Sequence, residues 1–484
     1  MRRTARFTTL SLLLLVSFSP PAARAQAPID SALAAYIAGI KAIDSHAHPM
    51  RPIPPGAPPD TEYDALPLGG IPPFPLPWRF RAENPEWRAA QHALYGVSLA
   101  DTGTAWRDAL HAAVGRIQQE QGEHFPSWVL DQIGTDVMLA NRIALGPGLE
   151  PPRFRWVAFV DALMLPLDTR AEAVRTPDTR ALYPMEATLL HRYLHNLGVA
   201  ALPRTLDAYV AAVVLPTLRR QRQGGAVAVK FEAAYLRPLD FDDPDAARAR
   251  RVYARYATGG TPTHADYKAL QDYLFRTIAR EAGRLGMAVQ IHTTEGFGGF
   301  YATHGSAPHL LEPAFNDSTL RGTNFIIVHG GWPLVGETQS LLSKPNVYAD
   351  ISAISLFVEP TELAGVLRQW LGEWPEKVLF GTDAFDGGPE QGWAEAAWLG
   401  TTSARRALAI ALTGMMRDGE ISRLRAEQLA RMVMRENAMA AYRLRDTSGS
   451  DSRAGGAHPD RETVIAPPAS VPPSPAPSPS ARPA

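Results

Sequence analysis

Cysteine is absent from all 484 residues. That excludes disulfides, iron–sulfur clusters, thiolate zinc sites, a cysteine nucleophile and a lipidated lipoprotein leader. Any metal must therefore be held by histidine, carboxylate or a modified side chain. Net charge is also nearly absent, at −1. That balance points to neither nucleic acid nor an anionic membrane as a partner. Beyond the N-terminus no apolar run is long enough to cross a bilayer, so no membrane insertion is expected. Lysine is scarce: Lys41, Lys230, Lys268, Lys344 and Lys377 are 5 of the 48 basic residues. Apart from an alternation of strands and helices there is no internal repeat.

What is present reads as a soluble globular protein, 45% hydrophobic and 20% charged, with structureless ends. Residues 1–25 read as a signal peptide. Arg2, Arg3 and Arg6 form a basic start, Leu10 to Phe18 an apolar core, and "AARAQA" a cleavage site near Ala25. The protein is expected to be exported, and periplasmic in a Gram-negative host. From about residue 446 the chain loses apolar periodicity and ends in "APPASVPPSPAPSPSARPA", a Pro/Ser-rich tail with nothing to bury. One domain is expected between them, over 26–445.

Eight near-continuous apolar runs lie in that span: 42–48, 135–141, 155–162, 226–231, 287–293, 325–331, 346–352 and 377–384. Such runs suit strands buried on both faces. Helical patterns separate many of them, among them 265–286 and 361–374, and a helical pair at about 391–444 follows the last. This alternation predicts a parallel (β/α)8 TIM barrel. The span exceeds the usual barrel, so insertions are needed. The largest follows strand one, over 49–130. It opens with the proline-crowded segment 49–80, which cannot sit inside a sheet. Loops of that length tend to be lids or binding walls, and a packing arm against a second subunit is an equal reading. A homo-oligomer stays open.

In such a barrel chemistry gathers at the C-terminal ends of the strands. Strand one ends in "AIDSHAHP", where alternation puts His46 and His48 on one face. Strand four gives Lys230, strand five His292, strand six His329 and strand eight Asp383. A lone histidine at a strand end is usually a packed core residue. Four histidines, a lysine and an aspartate at five strand ends should converge above the barrel axis. Lys230 is the odd member, because a bare ammonium repels a cation and is costly to bury. It is either a lysine snorkelling at the mouth or an amine that CO₂ converts to a bridging carbamate.

The ordered set His-x-His, Lys, His, His, Asp on strands one, four, five, six and eight resembles the amidohydrolase superfamily. "FIIVHGGWP" and "VLFGTDAF" resemble its branch called amidohydrolase family 2. "KFEAAYLRPLDF" (230–241) is similar to amidohydrolase domains that precede a glutamine-synthetase-like domain, a second domain this chain is expected to lack. The resemblance covers roughly 41–443. It implies that His46, His48 and Asp383 hold one divalent metal, and that His292 and His329 hold a second, bridged by carboxylated Lys230. It also allows a one-metal site of His46, His48, His292 and Asp383, with His329 as base or polariser. Glu232 shares the strand parity of Lys230 and is a second candidate bridge. Zinc is the first choice of ion, with manganese or iron as alternatives.

The implied activity is a metal-dependent hydrolase cleaving an amide, ester or lactone of a small molecule. In it Asp383 takes a proton from the attacking water and passes it to the leaving group. The alternative is a one-metal decarboxylase or hydratase. Arg142 and Arg237 are candidate clamps for a substrate carboxylate, each with a structural ion pair as an equal reading. Tyr235 and Trp332 are candidate pocket walls. Asp161 is a candidate support, and His304 and His309 are expected to pack in loops. "GFGG" at 296–299 opens no helix and is no nucleotide fingerprint.

Overall fold

Eight short apolar runs become eight strands: β1 (Ala42–Ala47), β2 (Thr135–Arg142), β3 (Phe154–Phe159), β4 (Ala226–Phe231), β5 (Ala288–His292), β6 (Phe325–Val328), β7 (Val347–Asp350) and β8 (Val378–Leu379). The structure is a computed structural model and describes residues 28–54, 56–66, 75–294, 296, 298–299 and 301–445. The expected leader and nearly all of the expected tail lie outside the described residues, as does part of the proline-rich segment.

The strands form one sheet in the order β1 to β8, each parallel to the next. The ring closes through backbone bonds between the β8 and β1 ends. Ser45 N–H donates to the Phe380 carbonyl at 3.0 Å, Asp383 N–H to that of His46 at 2.7 Å, and His48 N–H to that of Ala384 at 2.8 Å. Parallel strands need crossovers, and long helices such as His264–Arg284 and Pro360–Glu373 supply them. The expected (β/α)8 barrel is the fold.

Several strands stop short of their apolar runs. β6 ends at Val328 rather than 331, β7 at Asp350 rather than 352, and β8 at Leu379 rather than 384. The cause is backbone geometry at the rim. Thr294, His329, Ala353 and Asp383 take φ of 52°, 64°, 57° and 58°. Left-handed backbone in non-glycine residues is strained, and it ends a strand. Four of the five such residues described lie within a few residues of the ends of β5 to β8. At Gly330 and Gly331, with φ of 54° and 67°, added Cβ atoms would meet Trp370 at 2.6 Å and Pro308 at 2.2 Å. Only glycine fits the turn that follows His329.

The insertion after β1 folds into loop and helices. Pro85–Tyr95, Gly103–Gln121 and Phe125–Gln132 precede β2. Trp87, Leu94, Trp106, Leu110, Phe125 and Val129 form an apolar cluster there with Trp393 and Ala397 of the helix Trp393–Arg417. A separate small cluster sits at the N-terminal ends of the strands, where Ile43, Val137, Val227 and Ala288 pack with Ala438, Ala441 and Tyr442. The final helix thus packs against the end of the barrel opposite the rim. Among the described residues no helix is long and apolar enough to cross a membrane.

Candidate metal centre

The two histidines of β1 reach the same carboxylate. His46 Nε2 lies 3.2 Å and His48 Nε2 3.6 Å from Asp383 Oδ1. Ligand atoms of these three residues all fall within 4.8 Å of one another, and all three residues are buried. Among the described residues this is the one group of three or more possible ligands at that spacing.

Hydrogen bonds around His46 fix its tautomer. Gln290 Nε2 donates to the Ser45 carbonyl and to the Tyr442 hydroxyl, each at 2.8 Å. That turns Gln290 Oε1 toward His46 Nδ1 at 2.9 Å. With Gln290 Oε1 accepting, Nδ1 carries the proton and the Nε2 lone pair meets Lys230 Nζ at 3.2 Å, while the Asn141 side-chain amide lies 3.0 Å from the same Nδ1. From the insertion, Asp64 brings a carboxylate to His48: its Oδ2 lies 2.9 Å from Nδ1, without hydrogen-bond geometry. A carboxylate behind a ligating imidazole fixes the ring and raises its basicity. Asp44 holds the junction beneath, accepting from Thr382 N–H at 3.0 Å, the Thr382 hydroxyl at 2.5 Å and His46 N–H at 3.2 Å. Burial keeps His46 neutral, well below the usual imidazole range, with Lys230 adding to the effect. Burial pushes the Asp383 carboxyl up to about 7.

His292 and His329 lie on the other side of the mouth and engage each other. The Ser352 hydroxyl donates to Asp350 Oδ1 at 2.5 Å, so its oxygen accepts from His329 Nδ1–H at 3.0 Å. His329 Nε2 then accepts from His292 Nδ1–H at 3.0 Å. Asp350 also accepts from His329 N–H at 2.9 Å, which anchors the left-handed backbone there. Burial, with His292 as neighbour, holds His329 neutral, well below its ordinary value. His329 Nδ1 is 3.9 Å from Asp383 Oδ2, which joins the two sides.

Lys230 stands between them, fully buried. Its Nζ is 3.2 Å from His46 Nε2 and 3.8 Å from Glu232 Oε1. All six residues of the expected ligand set thus lie around one mouth.

The other candidates sit differently. Arg142 is fully buried and already engaged: both Asp60 oxygens take its Nη2 at 3.0 and 2.9 Å, and its Nη1 donates to the Pro49 carbonyl at 2.7 Å. Arg237 pairs with Asp272 at 2.9 Å and Gln271 at 3.0 Å and stacks over Phe241 at 4.4 Å. In both, the structural ion pair is present. Tyr235 stacks on His292, ring centres 4.7 Å apart, and lines a cavity of about 180 Å³ with Thr176, Arg237 and Tyr301. Trp332 is partly buried, and its N–H donates to the His329 carbonyl at 3.0 Å. His309 pairs with Glu337 at 2.7 Å near the surface, with the His304 ring 6.0 Å away. Asp64, Gln290, Asp350 and Ser352 were not foreseen. Of these only Asp350 carried a signal, as an acid ending the apolar run "NVYAD".

The donor set suits a divalent metal. Two buried imidazoles converging on one buried carboxyl fit zinc, manganese or iron.

A protein-family model described as Amidohydrolase matches residues 193–444, just over half of the chain, including Lys230, His292, His329 and Asp383. The chain is 25% identical to Protein fluG of Emericella nidulans over 243 residues, 48% of this chain and 27% of that protein. It therefore spans about a quarter of the length of that curated relative. Among solved structures, it is similar to a Lactobacillus casei protein named as a metal-dependent hydrolase, at 15% identity and a TM-score of 0.52, covering 85% of this chain and 97% of that one. It is equally similar to uronate isomerase of Thermotoga maritima, at 13% identity and a TM-score of 0.52, covering 85% and 96%. At such identities the likeness is one of fold.

Proposed function

From the premise that this chain belongs to the amidohydrolase family, we propose that it is an exported hydrolase of a small-molecule amide, ester or lactone. The observation that carries this reading is the trio His46, His48 and Asp383 at metal-ligating spacing on the rim where such barrels do their chemistry. The motifs around His329 and Asp383 fall inside the matched segment, which supports the family 2 branch.

His46, His48 and Asp383 would hold the ion, with His292, His329 and a carboxylated Lys230 completing a second site. A divalent ion there supplies Lewis-acid polarisation of a carbonyl and acidifies water. The protein does the rest. Asp383 can accept a proton from the attacking water and return it to the leaving group. His329, neutral and fixed through Ser352, offers a polar contact on the opposite side of the mouth. The insertion brings Asp64 to within 2.9 Å of His48 Nδ1.

One observation favours a second reading. Because His292 and His329 bond to each other, the trio alone stands ready. A one-metal decarboxylase or hydratase would need only His292 added to that trio. Purified full-length protein should be assayed on dipeptides, N-acyl amino acids, lactones and aromatic acids, before and after chelation. Hydrolysis lost on chelation and restored by zinc supports the first reading. Release of CO₂ from an aromatic acid without any hydrolysis favours the second. Hydrolysis that survives full metal removal overturns both. N-terminal sequencing of exported protein tests the leader, with a start near Gln26 expected.

A further inference from the structure

Beside Lys230 the rim carries acid that the metal centre does not use. Asp161 opens the turn after β3, Glu186 lies on the helix Leu182–Asn196, and Glu232 directly follows β4. Asp161 and Glu186 are each 1% exposed and Glu232 6%. Asp161 Oδ2 accepts from the Glu232 N–H at 2.8 Å, which ties two of the acids together. Among the described residues, neither oxygen of Glu186, nor Asp161 Oδ1, nor Glu232 Oε2 has a hydrogen-bond partner. Glu186 comes from a different element and is almost wholly buried; burial, with Asp161, Glu232 and Asp64 as acidic neighbours, pushes its carboxyl well above the ordinary range while no counter-charge is present. Buried acceptors are nearly always satisfied, and four orphaned oxygens in one neighbourhood call for a donor that arrives from outside.

The chemistry of that donor follows from charge and spacing. The one cation within ion-pair distance of the three acids, among the described residues, is Lys230, 3.8 Å from Glu232. Carbamylation of Lys230 would remove even that charge. No three of these acids lie at metal-ligating spacing, whereas the trio at β1 and β8 does. A cluster too wide to close on an ion suits an organic cation with several N–H donors. The cluster also adjoins the chemistry, because Lys230 Nζ, beside Glu232, is 3.2 Å from His46 Nε2. We propose that Asp161, Glu186 and Glu232 form a subsite for a primary ammonium of the substrate, carried a few bonds from the carbonyl that is cleaved. The substrate class is then aminoacyl compounds with a free amine. This rests on the metal-dependent hydrolase reading above.

Paired hydroxamates test it without turnover. L-alanine hydroxamate and N-acetyl-L-alanine hydroxamate share a metal-chelating group and differ in the ammonium. Calorimetric titration of the zinc-loaded full chain should show the free amine binding about tenfold or more tighter. Glu186→Gln should abolish that advantage while metal content stays at the wild-type level. Equal binding of the two probes, or an advantage untouched in Glu186→Gln, overturns the subsite and leaves the hydrolase reading standing. If neither probe binds, the metal centre fails and the subsite falls with it. Should Glu186→Gln not fold, Asp161→Asn takes its place with the same expected loss. Calcium binding at the cluster without any amine preference would also overturn the proposal.

Discussion

At the ends of β1 and β8, two imidazoles each point a nitrogen at one carboxylate, 3.2 and 3.6 Å away, and Lys230 Nζ lies 3.2 Å from that of His46. At the ends of β5 and β6, two imidazoles of the same kind point at each other, 3.0 Å apart. The difference lies behind the rings. His46 is held from the rear by Gln290, Asp64 stands behind His48, and the front nitrogens of both face Asp383. His329 is held through Ser352, and its front nitrogen is taken up by His292. At the first half the ligand atoms already converge on one carboxylate, with Lys230 Nζ reaching His46 Nε2. At the second, His329 must give up its bond to His292 before its Nε2 can coordinate. This asymmetry teaches that side-chain identity nominates a ligand, while the partner behind it decides readiness.

The strongest way to break the comparison is to delete one ligand from each side. His46→Ala or Asp383→Asn should abolish first-ion binding and lower kcat/KM by about 10³-fold or more, a loss of at least ~4 kcal/mol of transition-state stabilisation. His292→Ala should keep the first ion, as read by metal analysis after dialysis. Equal loss of that ion in both would erase the asymmetry.

Acidity gives the next effect. Burial pushes Asp44, Asp161 and Asp383 up to about 7 and Asp350 up to about 6. Between about pH 4 and pH 7 the folded metal-free protein therefore holds more protons than the unfolded chain. These groups stabilise it most below the ordinary carboxylate range, and that stability is lost as pH rises through 7. Melting of metal-free protein should fall from pH 5 to pH 7. Ion binding needs Asp383 ionised, so zinc affinity should rise over the same range, by up to about tenfold per pH unit for one proton released. A metal-free melting temperature that rises across this window would contradict the assignment.

Support residues come next. Asp64→Asn should weaken zinc about 10–100-fold while the barrel's far-ultraviolet dichroism stays unchanged. The smallest effect belongs to the other side. Ser352→Ala should cost about 1–3 kcal/mol in denaturant melts, since it leaves the His329 Nδ1–H and Asp350 without their shared partner. First-ion affinity should not move. A drop there would show that the two sides are one unit.

The barrel was legible in the sequence because buried parallel strands are continuous apolar runs, and all eight can be read that way. The ligands were legible because each polar residue closes such a run. What escaped detection lies where periodicity ends. Strand ends were set too late at β6, β7 and β8, because composition does not reveal that His329 and Asp383 take left-handed backbone. Asp64 stands among prolines and turn residues, where an acid is unremarkable until folding carries it to His48. Gln290 is a polar residue inside a strand, and only the closed barrel brings it to His46, 244 positions away. Arg142 carried the right chemistry for a substrate clamp, yet Asp60 of the insertion meets it first.

The claim that one half of the rim is ready and the other conditional is tested most directly by anomalous scattering from crystals given one equivalent of zinc. The account predicts a single peak among His46, His48 and Asp383, with His292 and His329 still bonded to each other. A first peak between His292 and His329, or no ordered ion at the trio, would contradict it.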